Sequence, residues 1–145
     1  MDPRHFLVLA QQLVVETTES AWRSAVSRAY YAAFHVARLL LLDLHFRVPQ
    51  ADRAHGYLWL RLSNCGDPQV QRAGADLNVA RRDRNWADYD LGRPMRLRVA
   101  QTDVQAAARI VQFLEAAALE PTRSQIRDAM KIYERDVLHD VTWHP

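Results

Sequence analysis

Polar residues that could bind phosphate and move protons recur along one face of a helix predicted in the first third of the chain. Their steps of three and four residues place them on one side of that helix, which we call the polar seam: Ser20, Ser24, Ser27, Arg28, Tyr31, His35 and Arg38. Arginine binds phosphate groups through two parallel hydrogen bonds, and histidine exchanges protons near neutral pH. The polar seam is either the solvent face of the helix or a functional or interface surface. Tyr31 and the small residues beside the seam favour the second interpretation.

A second cluster of charged residues lies near the end of another predicted helix. One face of that helix changes from apolar to charged towards its C-terminal end, along Val70, Gly74, Leu77, Arg81, Arg84 and Asp88. A neighbouring face carries Asn78, Arg82, Asn85 and Tyr89. The spacing of Arg84 and Asp88 suits an ion pair, although the helix macrodipole alone also favours cations near a helix C-terminus. Because buried polar groups cost stability unless they satisfy one another or serve chemistry, we expect the two segments to meet.

Both segments resemble motifs of one known family. Residues 27–35, Ser-Arg-Ala-Tyr-Tyr-Ala-Ala-Phe-His, are similar to the signature helix of the HEPN superfamily, and residues 84–90, Arg-Asn-Trp-Ala-Asp-Tyr-Asp, are similar to its second motif. The resemblance covers residues 4–119. It implies an up-and-down helical bundle that commonly dimerises and binds RNA or a nucleotide. Many members are metal-independent endoribonucleases of toxin–antitoxin or defence systems, and a frequent partner is a small protein of the nucleotidyltransferase fold.

The chain departs from the family pattern at the histidine that family catalysis uses. In the family this histidine follows an arginine closely on the fourth helix, whereas here no histidine follows Arg84 before His139. Metal-free RNA cleavage needs one group that accepts a proton and another that donates one. A composite site from both helices could supply them: Arg28, His35, Arg84 and Asp88. In the alternative, these residues form an inert network that locks the two helices together.

Within the composite site, Arg28 and Arg84 are the expected phosphate contacts, and His35 is the expected proton-transfer group. Further nucleic-acid contacts are expected from residues that combine guanidinium groups with aromatic or amide side chains: Arg81, Arg82, Asn85, Tyr89 and Tyr31. Arginines interleaved with aromatic residues are typical of single-stranded RNA binding. A solvated helix end and loop would explain the same pattern.

No other group of residues suggests a cofactor or a metal centre. The remaining histidines lack the spacing to cysteines or carboxylates that metal binding requires, so we expect neither a metal nor a cofactor. Cys65 is the single cysteine and lies in a predicted loop, where a structural thiol is the expected role. The segment from His139 to His144 is interpreted as a frayed tail.

The helices that position these residues follow from capping and periodicity. Only four glycines, few β-branched runs and abundant Ala and Leu predict an all-α chain. We expect six helices, over residues 4–17, 20–46, 51–63, 68–89, 98–119 (or 102–119) and 121–138. Ser20 and Asp67 are the expected N-caps of the second and fourth helices, with Pro68 at the first position of the fourth. The second helix carries two apolar stripes beside the polar seam, so it should be the central helix.

Length and composition place the chain among globular proteins. With 145 residues, 49% hydrophobic and 25% charged residues and a net charge of +2, we expect one domain over residues 1–145, with an extra C-terminal helix at 121–138. No apolar stretch is long enough to span a membrane and the first residues do not form a secretion signal, so we expect a cytoplasmic protein without a membrane partner. Every basic residue except Lys131 is an arginine, which suits nucleic acid but also follows from a GC-rich genome.

These patterns together predict a HEPN-like, homodimeric protein of a prokaryotic toxin–antitoxin or defence system that binds RNA or a nucleotide. Metal-independent endoribonuclease activity with a degenerate motif stays open at this point. The alternative is a non-catalytic interaction module, or a subunit that neutralises its partner, whose motif residues form a structural network.

Overall fold

The chain folds into a bundle of six α-helices, in a computed structural model that describes residues 1–145. The helices are α1 (Arg4–Leu13), α2 (Glu19–Asp43), α3 (Arg53–Leu62), α4 (Pro68–Tyr89), α5 (Leu97–Ala117) and α6 (Thr122–Tyr133), and α6 continues into a π-helical segment at Glu134–Leu138. There is no β-sheet. The predicted all-α bundle with six helices is confirmed. None of the helices is both long and apolar enough to cross a membrane.

The two longest helices both begin at a side-chain cap. The Asp67 carboxylate accepts a hydrogen bond from a backbone N–H of the first turn of α4 at 3.0 Å, and Pro68 opens the helix as predicted. Helix α2 begins one residue earlier than predicted, because its N-cap is Thr18 and not Ser20. The Thr18 hydroxyl accepts a hydrogen bond from the backbone N–H of Ala21 at 3.3 Å. Both candidate caps carry a hydroxyl group, so residue type alone does not separate them.

Helix α2 is the central element of the bundle, as its apolar stripes predicted. It packs against α1, α3, α4 and α5. Alanine is the commonest residue among its buried positions: Ala25, Ala29, Ala32, Ala33 and Ala37. Short side chains let the neighbouring helices approach closely. Helices α3 and α4 also approach closely at Gly74, where an added Cβ would lie 2.6 Å from the backbone nitrogen of Ser63. These packing contacts hold α2, α3 and α4 in fixed positions around the polar seam.

The C-terminal segment is packed against the bundle, so the prediction of a frayed tail is wrong. The fully buried Glu134 carboxylate accepts hydrogen bonds from the backbone N–H groups of Thr142 at 2.9 Å and Trp143 at 3.1 Å. Arg61 of α3 donates to the same carboxylate at 2.8 Å and is 3% exposed. The Trp143 indole N–H donates to the backbone carbonyl of Leu44 at 2.9 Å. A buried ion pair therefore fastens the tail to α3 and to the end of α2.

A second buried acid belongs to α5. Asp103 is 7% exposed, and one of its carboxylate oxygens has no hydrogen-bond partner. Burial raises the pKa of Asp103 to about 8, and the neighbouring Asp83 carboxyl of α4 adds to the rise through a hydrogen bond and its negative charge. At neutral pH, Asp103 is therefore mostly protonated in the folded protein and ionised in the unfolded chain.

Removing the Glu134 carboxylate should strongly destabilise the fold. In Glu134→Ala, Arg61 keeps a buried charge without its main partner, and the tail loses its hydrogen-bond acceptor. We expect the free energy of unfolding, measured by urea denaturation, to fall by about 3–5 kcal/mol. Asp136→Ala is the control, because Asp136 is exposed and pairs only with its neighbour Arg135; its removal should cost less than about 1 kcal/mol. Equal destabilisation of the two variants would contradict the role of Glu134.

The Asp103 carboxyl should make the protein less stable as the pH rises. The pKa of Asp103 is about 8 in the folded protein and lies above the ordinary value of 3.8. Its contribution to the free energy of unfolding is therefore fully present below pH 3.8 and is lost as the pH rises through the folded pKa. Asp103→Asn keeps the shape of the side chain and removes the titration. We expect thermal denaturation to show a flatter pH dependence and, at pH 8, a gain of about 1 kcal/mol or more. Asp128→Asn, at an exposed position on α6, should keep the pH dependence of the wild type. An unchanged profile in Asp103→Asn would refute the assignment.

Candidate functional site

The two motif segments meet, as predicted, and Arg23 joins them. This residue lies in the first motif helix but was not among the predicted site residues. Its guanidinium donates to four backbone carbonyls at and just after the end of α4: those of Trp86 (3.1 Å), Ala87 (3.0 Å), Asp90 (3.0 Å) and Arg93. The carboxylate of Glu19, one turn earlier on α2, holds the same guanidinium at 3.1 Å. The last carbonyl groups of a helix lack hydrogen-bond partners within the helix, and Arg23 supplies donors for those of α4. Its positive charge also interacts favourably with the helix macrodipole at this C-terminal end.

Ser27, one turn further along α2, makes the next contact with α4. Its hydroxyl donates to the Asp88 carboxylate at 3.1 Å, and Asp88 also lies 4.0 Å from the Arg84 guanidinium, which forms the predicted ion pair. The Arg28 guanidinium donates to the Ser27 hydroxyl at 3.4 Å. Three of the four residues of the predicted composite site, Arg28, Arg84 and Asp88, are therefore neighbours.

The ring of Tyr31 lies beside both arginines of this cluster. The Cζ atom of Arg28 is 5.2 Å from the ring centre and that of Arg84 is 5.5 Å from it. Cation–π contacts of this kind hold a guanidinium without using its N–H groups. The Nε atoms of Arg84 and Arg81 are buried and have no hydrogen-bond partner, and Arg84 is 8% exposed. These arginines thus keep unused donors, which is unusual for buried polar groups.

His35, the fourth residue of the composite site, lies one turn beyond Tyr31 and forms no hydrogen bond with Arg84 or Asp88. Its ring instead packs against aromatic side chains, with centroid distances of 6.0 Å to Phe6, 6.1 Å to Tyr31 and 5.1 Å to Phe34. The composite site is therefore divided. Its two arginines and its carboxylate lie together, and its histidine lies apart from them.

His35 faces an open groove of about 410 Å³ between α2 and the start of α3, which we call the α2–α3 groove. Its charged and aromatic lining is formed by Tyr31, Phe34, His35, Arg38, Asp52 and His55. The Phe34 ring contacts both imidazoles, with centroid distances of 5.1 Å to His35 and 4.7 Å to His55. His55 is a second histidine of this region that the sequence did not single out. No spacing rule connects a residue of α3 with the polar seam, so only the fold brings the two together.

Burial lowers the pKa of both imidazoles that line the groove. For His35, the positive charge of Arg38 lowers the pKa further. For His55, the positive charges of Arg84 and Arg81 do the same. Both histidines are therefore mostly neutral at pH 7, and the charge of the region is carried by its arginines.

Three of the other predicted nucleic-acid contacts lie on the outer side of α4: Arg82, Asn85 and Tyr89 are exposed and form no side-chain hydrogen bond. These three side chains are accessible to a large ligand, but nothing in the fold holds them in place. Arg81 is half-buried, with a single hydrogen bond to Asn78 at 3.4 Å, and its charge lies close enough to His55 to lower the pKa of that imidazole. The roles of all four residues in binding stay predictions.

Comparison with protein-family models, with curated proteins and with solved structures gave no match. Among the other residues considered as sites, Cys65 is buried, and burial raises the pKa of its thiol. The chain has no group of three or more His, Cys, Asp or Glu side chains arranged to hold a metal ion. The function therefore has to be argued from the polar seam and the α2–α3 groove.

Replacing the Arg23 guanidinium should loosen the end of α4. A lysine in Arg23→Lys keeps the charge, but its three N–H donors cannot reach four carbonyls and a carboxylate together. We expect a decrease of about 2 kcal/mol or more in the free energy of unfolding. Hydrogen exchange should accelerate at the amides of residues 84–90, while the amides of α5 stay protected. Arg82→Lys, at an exposed position of α4, is the control and should change neither quantity. Unaltered exchange over residues 84–90 would show that Arg23 does not hold this helix end.

Proposed function

We propose that the protein is a HEPN-like RNA-binding protein of a prokaryotic toxin–antitoxin or defence system, and that single-stranded RNA lies along the polar seam and the α2–α3 groove. The observation that carries the proposal is the surplus of guanidinium groups in this region. Arg84 has one carboxylate at 4.0 Å, and three further arginines of this region form no ion pair: Arg28, Arg38 and Arg81. Unpaired guanidinium groups that converge on one surface are suited to phosphates.

The length of this surface favours an oligonucleotide over a single nucleotide. Arg28 and Arg38 are ten residues apart on α2, which corresponds to about 15 Å along the helix axis. Tyr31 lies between them and is half-buried, so part of its ring is open to a base. Phosphate contacts separated by an aromatic side chain are typical of proteins that bind single-stranded nucleic acid.

The proposed cellular setting rests on the resemblance of the two motifs to HEPN motifs. On the same basis we propose a homodimeric state, a cytoplasmic location and a partner of the nucleotidyltransferase fold. The possibility of metal-independent endoribonuclease activity also rests on this resemblance. Helix α4 carries Asp88 and Tyr89 where the family has its histidine, so cleavage would have to use a histidine from another helix.

The alternative function is a non-catalytic interaction module or a neutralising subunit. The Ser27–Asp88 hydrogen bond and the Arg23 contacts favour it, because they fasten α2 to α4 without any ligand. The two functions differ in one measurable property. A purely structural network leaves the purified protein without affinity for RNA.

Binding of single-stranded RNA should depend on the unpaired arginines of α2. We expect a labelled mixed-sequence RNA oligonucleotide to bind the purified protein at low salt, as measured by fluorescence anisotropy. Arg28→Ala and Arg38→Ala should each weaken binding about tenfold. In each variant, the slope of the logarithm of affinity against the logarithm of salt concentration should become shallower by about 0.7, because one phosphate fewer is neutralised.

The matched control is Arg109→Ala, since Arg109 lies on α5, outside the polar seam and the groove. It should bind RNA almost as the wild type does. Absence of binding at low salt would refute the proposed function and favour the interaction module. Equal weakening in all three variants would mean that general charge, and not this surface, attracts RNA.

A further inference from the structure

The imidazole of His55 is held by a buried tyrosine. The Tyr30 hydroxyl and the Nδ1 atom of His55 share a hydrogen bond across the interface of α2 and α3. The two rings are also stacked, with centroids 5.5 Å apart and planes inclined by 25°. Tyr30 is 1% exposed, so its hydroxyl has no access to water. The orientation of the His55 ring is therefore set by the fold before any ligand arrives.

The direction of this hydrogen bond follows from which protons and lone pairs of the two partners would otherwise be left unpaired. His55 is the only hydrogen-bond partner of the Tyr30 hydroxyl. Burial raises the pKa of Tyr30, so the phenol keeps its proton. If the imidazole donated instead, a buried hydroxyl proton would have no acceptor, which costs free energy. The phenol therefore donates to Nδ1, and the single proton of the neutral imidazole resides on Nε2.

The Nε2–H group of His55 is free and not fully buried. It has no hydrogen-bond partner within the protein, and it is not one of the buried unpartnered atoms. His55 lines the α2–α3 groove together with Arg38, whose guanidinium forms no ion pair, and with Asp52 as the one carboxylate. The charges of Arg84 and Arg81 lie close enough to lower the pKa of His55. The groove thus combines a fixed neutral donor with a positive surrounding field.

We propose that His55, oriented by Tyr30 as a neutral Nε2–H donor, forms with Arg38 a binding subsite for a phosphodiester oxygen of RNA in the α2–α3 groove. The subsite rests on the proposed RNA binding and adds a residue of α3 to it. Arg38 provides the charge that attracts the phosphate. His55 provides a donor of fixed direction, and Phe34 separates it from His35.

Three substitutions test the subsite with the single-stranded RNA oligonucleotide as the probe. His55→Ala removes the donor and should weaken binding about tenfold, the scale of one hydrogen bond to a charged group. His55→Gln places an amide N–H near the position of Nε2–H and should restore binding to within about threefold of the wild type. His5→Ala, at an exposed histidine of α1, is the control and should bind as the wild type does. Circular dichroism confirms that each variant keeps its helices.

The phosphate assignment predicts that base identity does not matter at this position. The weakening in His55→Ala should be the same factor for an oligouridine and an oligoadenine strand. A weakening confined to one of the two strands would mean that His55 reads a base, and would overturn the phosphate subsite.

The tautomer is tested without RNA. Two-dimensional NMR of protein labelled with ¹⁵N at histidine should show the Nε2–H form for His55, with a pKa below the ordinary histidine value of 6.5. In Tyr30→Phe the preference for the Nε2–H form should decrease, and RNA binding should weaken severalfold.

The outcomes separate this inference from the proposed function. If the wild-type protein binds no RNA, both fail. If it binds RNA but His55→Ala binds equally well, or His55 carries its proton on Nδ1, the subsite fails and the RNA-binding function stands.

Discussion

The arrangement of the candidate site depends on one buried guanidinium. Arg23 of α2 is bonded to the free carbonyls at the end of α4, and this contact sets how far the two helices slide past each other. From Arg23, each further turn of α2 meets a residue nearer the start of α4, as antiparallel helices require. Ser27 therefore meets Asp88, and Tyr31 meets Arg84. A shift of one turn between the helices would break every one of these interactions.

The buried arginines of this protein fall into two groups that differ in how fully their donors are used. Arg23 and Arg61 are surrounded by carbonyl and carboxylate acceptors, which offset the cost of burying their charge. Arg84 is buried to a similar degree but has one carboxylate at 4.0 Å and an unpartnered Nε. Arg61 also keeps one terminal nitrogen without a hydrogen-bond partner, but its Nε lies 2.8 Å from the Glu134 carboxylate, a shorter ion pair than Arg84 has. Arg84 is therefore the buried arginine with the weakest ion pair in the structure, and this is why the proposed function assigns it a phosphate contact.

The sequence predicted the fold better than the site because helices are local. Caps and periodicity located all six helices, and for α4 both ends agree with the prediction. The contacts of Arg23 with the end of α4 and of Arg61 with Glu134 join residues far apart in the chain, with no fixed spacing. The tail after α6 was predicted to fray because two of its hydrogen bonds come from backbone N–H groups to a buried acid. Bonds of this kind leave no pattern of residue types in the sequence. His55 was missed because its partner, Tyr30, lies on another helix and is itself part of an apolar stripe.

The position of the histidines restricts any chemistry at this surface. Helix α4 carries no histidine, and its Asp88 is already engaged by the Ser27 hydroxyl and the Arg84 guanidinium. The tautomer inferred for His55 makes its free nitrogen a donor, so it cannot accept a proton there while Tyr30 donates to Nδ1. His35 forms no hydrogen bond through either ring nitrogen, and its lowered pKa keeps it neutral. If RNA binds as proposed, with His55 and Arg38 on the phosphate, His35 is the one histidine of the groove that is free to accept a proton from a ribose hydroxyl.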